Sequence, residues 1–258
     1  MKVVILAGGK GTRISEESQL KPKPMIEIGG MPIIWHIMKT YSYYGFKEFI
    51  ICGGYKQHMI KQWFSDYYLW NSDVTFEFGN KNNMIVHHDY AEDWKVTIVD
   101  TGLETLTGTR IAKVRSYIGD ETFMMTYGDG VSDVNINELV KYHNRNHAFA
   151  TLTATRIQQR FGVLSIDENS MVTSFREKSE SDAERINAGY MVLEPQVFDY
   201  IGNGEVFFEQ EPLKNLAHDG KLAAYKHNGF WHPMDTMRDK EALEKLWESG
   251  QAPWKIWK

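Results

Sequence analysis

Cysteine is nearly absent from this chain: Cys52 is the single one in 258 residues. One thiol cannot close an intrachain disulfide, so no covalent framework replaces a packed core. Its place in the apolar run Phe49-Ile50-Ile51-Cys52 reads as a small buried hydrophobe. Long apolar runs are missing too. Nothing approaches the roughly 18 uninterrupted apolar residues of a membrane span, and the opening run Val3 to Ala7 is too short for the core of a signal peptide. A cytoplasmic protein with no membrane partner is expected. An excess of positive charge is likewise lacking: Lys and Arg number 29 against 34 Asp and Glu, a formal charge of −5. That leaves no basic footprint for nucleic acid. Any anion held by this chain must be met by local positive groups. There is no internal repeat and no low-complexity linker, and the balance of 42% hydrophobic and 24% charged residues is that of an ordinary globular protein. One domain spanning 1–258 is expected.

What is present is an α/β pattern. Val3 to Leu6 reads as a strand buried on both faces, because four consecutive apolar residues run into glycine. Ile34, Ile37, Met38 and Tyr41 have helical spacing, with Pro32 in the first turn and Gly45 as the stop. The run 49–52 is a second buried strand, followed by a helix from Lys56 to Asp66. The alternation Val74, Phe76, Phe78 and the run Lys95 to Asp100 are strand-like, and Thr107 to Ile118 reads as one helix stopped by Gly119. Thr122 to Gly130 is a strand ending in a glycine-flanked turn. Asp133 is placed to cap the helix that follows, and segments 150–156, 162–167, 172–178 and 188–194 are strand-like. Residues 236–250 close the pattern as a helix. Alternation of this kind predicts a Rossmann-like fold with a mostly parallel central sheet, helices on both faces and ligands at the carboxyl ends of the strands.

The stretch Leu6-Ala7-Gly8-Gly9-Lys10-Gly11-Thr12-Arg13 follows the first strand. It is not a Walker loop, since Lys10 is followed by Gly11 and not directly by Ser or Thr. Nor is it a dinucleotide fingerprint, because Ile14 stands where a glycine or other small residue is required. Three glycines alone imply a tight reversal. Lys21 and Lys23 each precede a proline, which favours extended backbone and points both ammonium groups the same way. Loop amides, a guanidinium fork and two ammonium groups within about fifteen residues make an inventory sized for a triphosphate.

The loop together with Lys21-Pro-Lys-Pro-Met-Ile-Glu-Ile-Gly-Gly-Met-Pro resembles the signature of the sugar-nucleotide pyrophosphorylases, nucleotidyltransferases that join a sugar 1-phosphate to a nucleotide. Segments 99–110, 123–136, 186–195 and 230–257 resemble the glucose-1-phosphate cytidylyltransferase branch, so the likeness covers essentially the whole chain. It implies conversion of CTP and α-D-glucose 1-phosphate to CDP-glucose and pyrophosphate, with Mg²⁺ as cofactor. It also implies a homo-oligomer, hexamers included.

By the same resemblance, Leu6, Ala7, Gly8, Gly9, Gly11, Thr12 and Gly128 surround the nucleotide, and Arg13 and Lys23 neutralise the triphosphate. Lys21 is the weaker candidate. Thr105 and Arg110 match nucleotide contacts; without the resemblance they read as a helix start with an exposed arginine. Glu177 and Lys178 match a sugar and sugar-phosphate element, although Ser179 replaces its usual proline, and Asn187 and Gly189 match a second sugar element. Asp129 lies in a turn where a sheet of this type places its site. Asp235 reads on spacing alone as a helix cap, whereas the resemblance makes it and Asp129 the two metal-binding carboxylates. His87 and His88 are adjacent on a strand-like segment and so face opposite ways, which speaks against a shared metal. Aromatics at 41–44 and 66–70, and the tryptophans of the tail, read as packing or subunit contacts. Two alternatives remain at this level: a pyrophosphorylase using UTP or dTTP, and a regulatory subunit that binds nucleotide sugar without catalysis. A nicotinamide oxidoreductase is disfavoured by the broken fingerprint.

Overall fold

The computed structural model describes residues 1–11, 14–79, 83–156, 163–166, 171–176 and 185–258. In chain order it contains β1 (Val3–Ala7), a short α1 (Ser15–Ser18), a 3-10 turn over Lys23–Met25, β2 (Glu27–Ile28), β3 (Met31–Pro32), α2 (Ile33–Tyr43), β4 (Glu48–Gly53) and α3 (Gln57–Trp70). Next come β5 (Ser72–Glu77), β6 (Asn83–Asp89), β7 (Lys95–Asp100), α4 (Thr107–Lys113), α5 (Arg115–Ile118), β8 (Phe123–Tyr127), β9 (Gly130–Ser132) and α6 (Ile136–Asn146). The remainder is β10 (Ala150–Arg156), β11 (Val163–Ile166), β12 (Val172–Arg176), β13 (Arg185–Leu193), α7 (Val197–Ile201), α8 (Glu211–His218), β14 (Leu222–Lys226), β15 (Trp231–Pro233) and α9 (Met237–Glu248).

Seven strands form the central sheet in the order β14-β10-β13-β8-β1-β4-β7. Strand β1 is parallel to both neighbours, β4 and β8, while β13 is antiparallel to both of its own. The sheet is therefore mostly parallel, with one reversed strand. Alternate residues of β1 serve two separate cores: Val3, Ile5 and Ala7 pack on one face, Val4 and Leu6 on the other. Cover on both faces is why the strand is apolar without interruption. Each of its fully buried Val and Ile side chains contributes about 1.5–3 kcal/mol, which fixes the carboxyl end of β1 as a rigid platform.

Several expected boundaries differ. The helix expected over 107–118 is broken at Val114, whose backbone lies at φ −100° and ψ 6° and separates α4 from α5. Asp133 does not cap α6: Asn135 does, accepting from the Glu138 amide at 3.1 Å, while Asp133 lies 3.0 Å from His227 Nε2. Pro32 occupies the position before α2 instead of its first turn. Strands β5 and β6 pair as a separate hairpin with exposed Phe76, Phe78, Met84 and Ile85. Histidines 87 and 88 lie exposed on β6, His87 beside Thr75 and His88 beside Asp73.

The carboxyl-terminal tail folds back on the chain. Trp254 is fully buried and donates its indole N–H to His36 Nδ1 at 3.3 Å, so the other imidazole nitrogen donates to the Ile28 carbonyl at 2.8 Å. Burial pulls His36 down to about 4.

Candidate active site

Leu6 of β1 stands beside Tyr127 of β8 in the parallel register, so the chain leaves both strands on the same side of the sheet. A cavity of about 330 Å³ lies there. Leu6 to Gly9 and Gly11 form one wall, Gly128 and Asp129 a second, and Thr105 and Arg110 a third, with Lys23 reaching in from the 3-10 turn.

The two lysines of the proline-flanked segment do not share a target. Pro22 is extended, but Lys23 and Pro24 lie in the 3-10 turn that follows it, which turns Lys23 inward. Lys21 pairs with Glu27 at the surface, 2.5 Å away. The Lys23 ammonium lies 2.6 Å from Asp129 Oδ2 and 2.6 Å from Asp235 Oδ1. These three groups come from distant parts of the chain. Asp129 follows β8, and pairing of β9 with β15 sets Pro233 opposite Gly130, after which the Met234 amide donates to the Asp129 carbonyl at 2.8 Å. That clasp delivers Asp235.

Asp235 is not the cap of α9. Thr236 is: its hydroxyl accepts from the Asp239 amide, and Asp239 returns the bond to the Thr236 amide at 2.8 Å, a capping box. The Asp235 carboxylate is thereby free of capping duty and points to Lys23.

Arg110 is neither exposed nor loosely held. It is 4% exposed, and its terminal nitrogens donate to the carbonyls of Gly8, Gly53, Gly102 and Leu103 and to the Thr101 hydroxyl. Burial lowers its pKa, opposed by the negative charges around it. It makes no ion pair among the described residues. Its guanidinium ties together the loops after β1, β4 and β7. Gly8 is glycine for this reason, since a Cβ there would lie 2.1 Å from Arg110 Nη1. Thr105 is held by Lys113, which donates to its hydroxyl at 3.1 Å.

Sequence reasoning missed Tyr127, Thr107 and Phe207, which also line the cavity. The Tyr127 hydroxyl donates to Glu209, whose other oxygen accepts from Thr107 at 2.5 Å. Burial first, and the Glu209 charge second, push the Tyr127 phenol far above its ordinary value. Asn187 and Gly189 abut this group: the Asn187 side chain accepts from the Gly189 amide at 2.8 Å, and Gly189, at φ +82°, leaves room for the Tyr127 ring. The apolar run of β8 leading into the glycine-flanked turn was the signal for Tyr127; nothing local marks Glu209. Thr12, Arg13, Glu177 and Lys178 lie outside the described residues.

Among the described residues no group of three or more His, Cys, Asp or Glu converges as a self-sufficient metal cage. Two carboxylates already converging on one cation, the Lys23 ammonium, nevertheless suit a hard ion such as Mg²⁺. That ion takes one or two carboxylates and draws its other ligands from phosphates and water.

The family model described as nucleotidyl transferase matches residues 2–239, and the chain belongs to that family. Within it, the chain is 54% identical over 258 residues, all of each partner, to the glucose-1-phosphate cytidylyltransferases of Salmonella typhi and Salmonella typhimurium. It is 30% identical over 92% of its length to a mannose-1-phosphate guanylyltransferase of Mycobacterium tuberculosis, spanning 61% of that protein. HddC from Yersinia pseudotuberculosis has the same fold, with a TM-score of 0.69 at 23% identity over 95% of this chain and 99% of that one. UDP-glucose pyrophosphorylase complexed with UDP-glucose gives 0.67 at 17% identity over 96% and 98%.

Proposed function

We propose that this protein converts CTP and α-D-glucose 1-phosphate to CDP-glucose and pyrophosphate. One observation carries the reading: end-to-end identity of 54% with enzymes of that name, in a chain whose cavity lies at the ends of β1 and β8. An oxygen of the sugar phosphate attacks the α-phosphorus of CTP, the bond from that phosphorus to the β-phosphate oxygen breaks, and pyrophosphate leaves. No general base is needed, because a phosphate monoester with a second pKa near 6 is already mostly dianionic at neutral pH. Repulsion between two polyanions is the obstacle. Each pair of unit charges 4 Å apart costs about 1 kcal/mol in water and about 4 at an effective dielectric near 20. Neutralisation and alignment are therefore the chemistry required of the protein.

The amides of Gly8, Gly9 and Gly11, with Thr12, hold the phosphates in this reading, while Leu6, Ala7, Gly128 and Thr105 flank base and ribose. Arg110 acts through the loop it clamps, its terminal nitrogens being engaged by protein oxygens. Arg13 and Lys23 neutralise the departing pyrophosphate. Glu177, Lys178, Asn187 and Gly189 take the sugar phosphate. Asp129 and Asp235 would hold Mg²⁺, which when bound supplies charge neutralisation and a template for the phosphates. The exposed aromatic hairpin of β5 and β6 supports assembly of several copies, and the single buried thiol suits the cytoplasm.

The test is pyrophosphate release from glucose 1-phosphate and each nucleoside triphosphate with Mg²⁺. CTP is expected to be fastest by a wide margin. A faster rate with UTP or dTTP overturns the base assignment, and release with none overturns the reaction.

A further inference from the structure

We propose that Lys23 and the divalent cation are alternative occupants of one carboxylate pair, so that metal binds well only when a triphosphate arrives to take over the displaced ammonium. The inference rests on the function proposed above and concerns Lys23 itself, which acts here as an internal counter-ion.

The Lys23 side chain is 9% exposed, whereas its partners Asp129 and Asp235 are 32% and 24% exposed. The ammonium is thus the deepest member of the trio, and the carboxylates are the more open ones. An ammonium donates its protons to the same oxygen lone pairs that a metal ion would need, and two cations drawn to one pair of oxygens repel each other. A buried ammonium also cannot be left unpaired without a large desolvation cost. Among the described residues Lys23 has no other carboxylate partner, so a metal entering alone strands it.

Phosphate oxygens remove that conflict. Lys23 and Asp129 line the same cavity as the glycine loop, so a triphosphate seated on the loop brings new anionic partners to the ammonium as the metal takes the carboxylates. Metal and nucleotide then favour each other, and by linkage the factor by which nucleotide tightens metal equals the factor by which metal tightens nucleotide. In the absence of nucleotide the ammonium neutralises half of the paired negative charge and keeps Asp129 and Asp235 converged. The site stays assembled between turnovers without retaining its metal.

The test is Mn²⁺ binding, followed by the electron paramagnetic resonance signal of free Mn²⁺, for the wild-type protein and Lys23→Met, with and without a non-hydrolysable CTP analogue. Without nucleotide, Lys23→Met is expected to bind Mn²⁺ about tenfold more tightly than wild type, and the analogue is expected to tighten Mn²⁺ far more in wild type than in the variant. Lys23→Gln should behave in the same direction, and Asp129→Asn introduced into Lys23→Met should abolish the gain. Equal or weaker Mn²⁺ binding by both lysine variants, with circular dichroism unchanged, overturns the exchange and leaves the metal reading intact. Mn²⁺ binding by neither wild type nor variant, with turnover undiminished in EDTA, overturns the metal reading and the exchange with it. Should both variants fail to fold, a crystal structure of the wild-type protein with Mn²⁺ and the analogue decides: Lys23 Nζ on phosphate oxygens supports the exchange, and Nζ still bridging both carboxylates overturns it.

Discussion

Two buried cations, Arg110 and Lys23, line one cavity and are held in opposite ways. Arg110 donates to four carbonyls and a hydroxyl, and Lys23 pairs with two carboxylates. A guanidinium bound by neutral dipoles at fixed backbone positions has no competitor and no reason to move; its fork determines where three loops meet. An ammonium bound by two carboxylates can be replaced by any cation those carboxylates prefer. One charge in the site is thus architectural and the other exchangeable.

The largest break in this comparison is Arg110→Met. Five acceptors lose a donor at once. The Gly8 carbonyl keeps the Tyr55 amide, and the Gly53 carbonyl keeps the Thr101 amide and hydroxyl. The part-buried Gly102 and Leu103 carbonyls lose the guanidinium, each orphaned group costing about 1–3 kcal/mol before water relieves it. Denaturant titration should show a loss exceeding about 3 kcal/mol, with nucleotide KM rising steeply in whatever fraction folds. An unchanged midpoint would show that the loops hold their places without the clamp. Asp235→Asn attacks the other cation and should separate chemistry from stability. Turnover should fall by about a hundredfold, the scale for one preorganised electrostatic partner, while the melting temperature barely changes because Thr236 and Asp239 keep the cap. A silent Asp235→Asn would remove the carboxylate from the site. Gly8→Ala comes next: the added methyl collides with Arg110 and should cost about 1–3 kcal/mol, with nucleotide binding weakened more than turnover. Thr236→Ala should cost about 1 kcal/mol of stability and leave the rate almost unchanged, the reverse of Asp235→Asn.

The smallest effect is a probe of closure. Cys52 donates its thiol weakly to the Arg110 carbonyl, and burial pushes its pKa up to about 12. It should resist a thiol reagent at pH 8 for hours in the wild-type protein and react in minutes in Arg110→Met. Fast reaction in both would mean that the interior opens regardless of the clamp.

The sequence displayed what depends on neighbours along the chain. Continuous apolarity marked β1, β4 and β8; helical spacing marked α2 and good helix formers marked α9; a glycine cluster at a strand end marked the cavity. Side-chain pattern carries no sign of strand direction, so the reversal of β13 could not be read. Partners distant along the chain were equally hidden. Lys23 meets Asp235 through the clasp of β9 with β15, and Arg110 meets Gly8 through the parallel registers of β1 with β4 and of β4 with β7. The Asp235 case shows the limit most clearly. Spacing alone made Asp235 the cap of α9, and only the fold assigns that duty to Thr236 with Asp239 and leaves the Asp235 carboxylate on Lys23.

The charged trio spans nearly the full length of the chain, with separations of 106 and 212 residues from Lys23. Synthesis runs from the amino end at about 5–20 residues per second, so β1, the glycine loop and Lys23 leave the ribosome many seconds before Asp235 does. A chain that has not reached residue 235 can present the loop and one carboxylate but not both. With Asp235 holding the metal as proposed, turnover of nucleotide is withheld until residue 235 has been made, and a product truncated before it lacks the second carboxylate however well its first strands have folded.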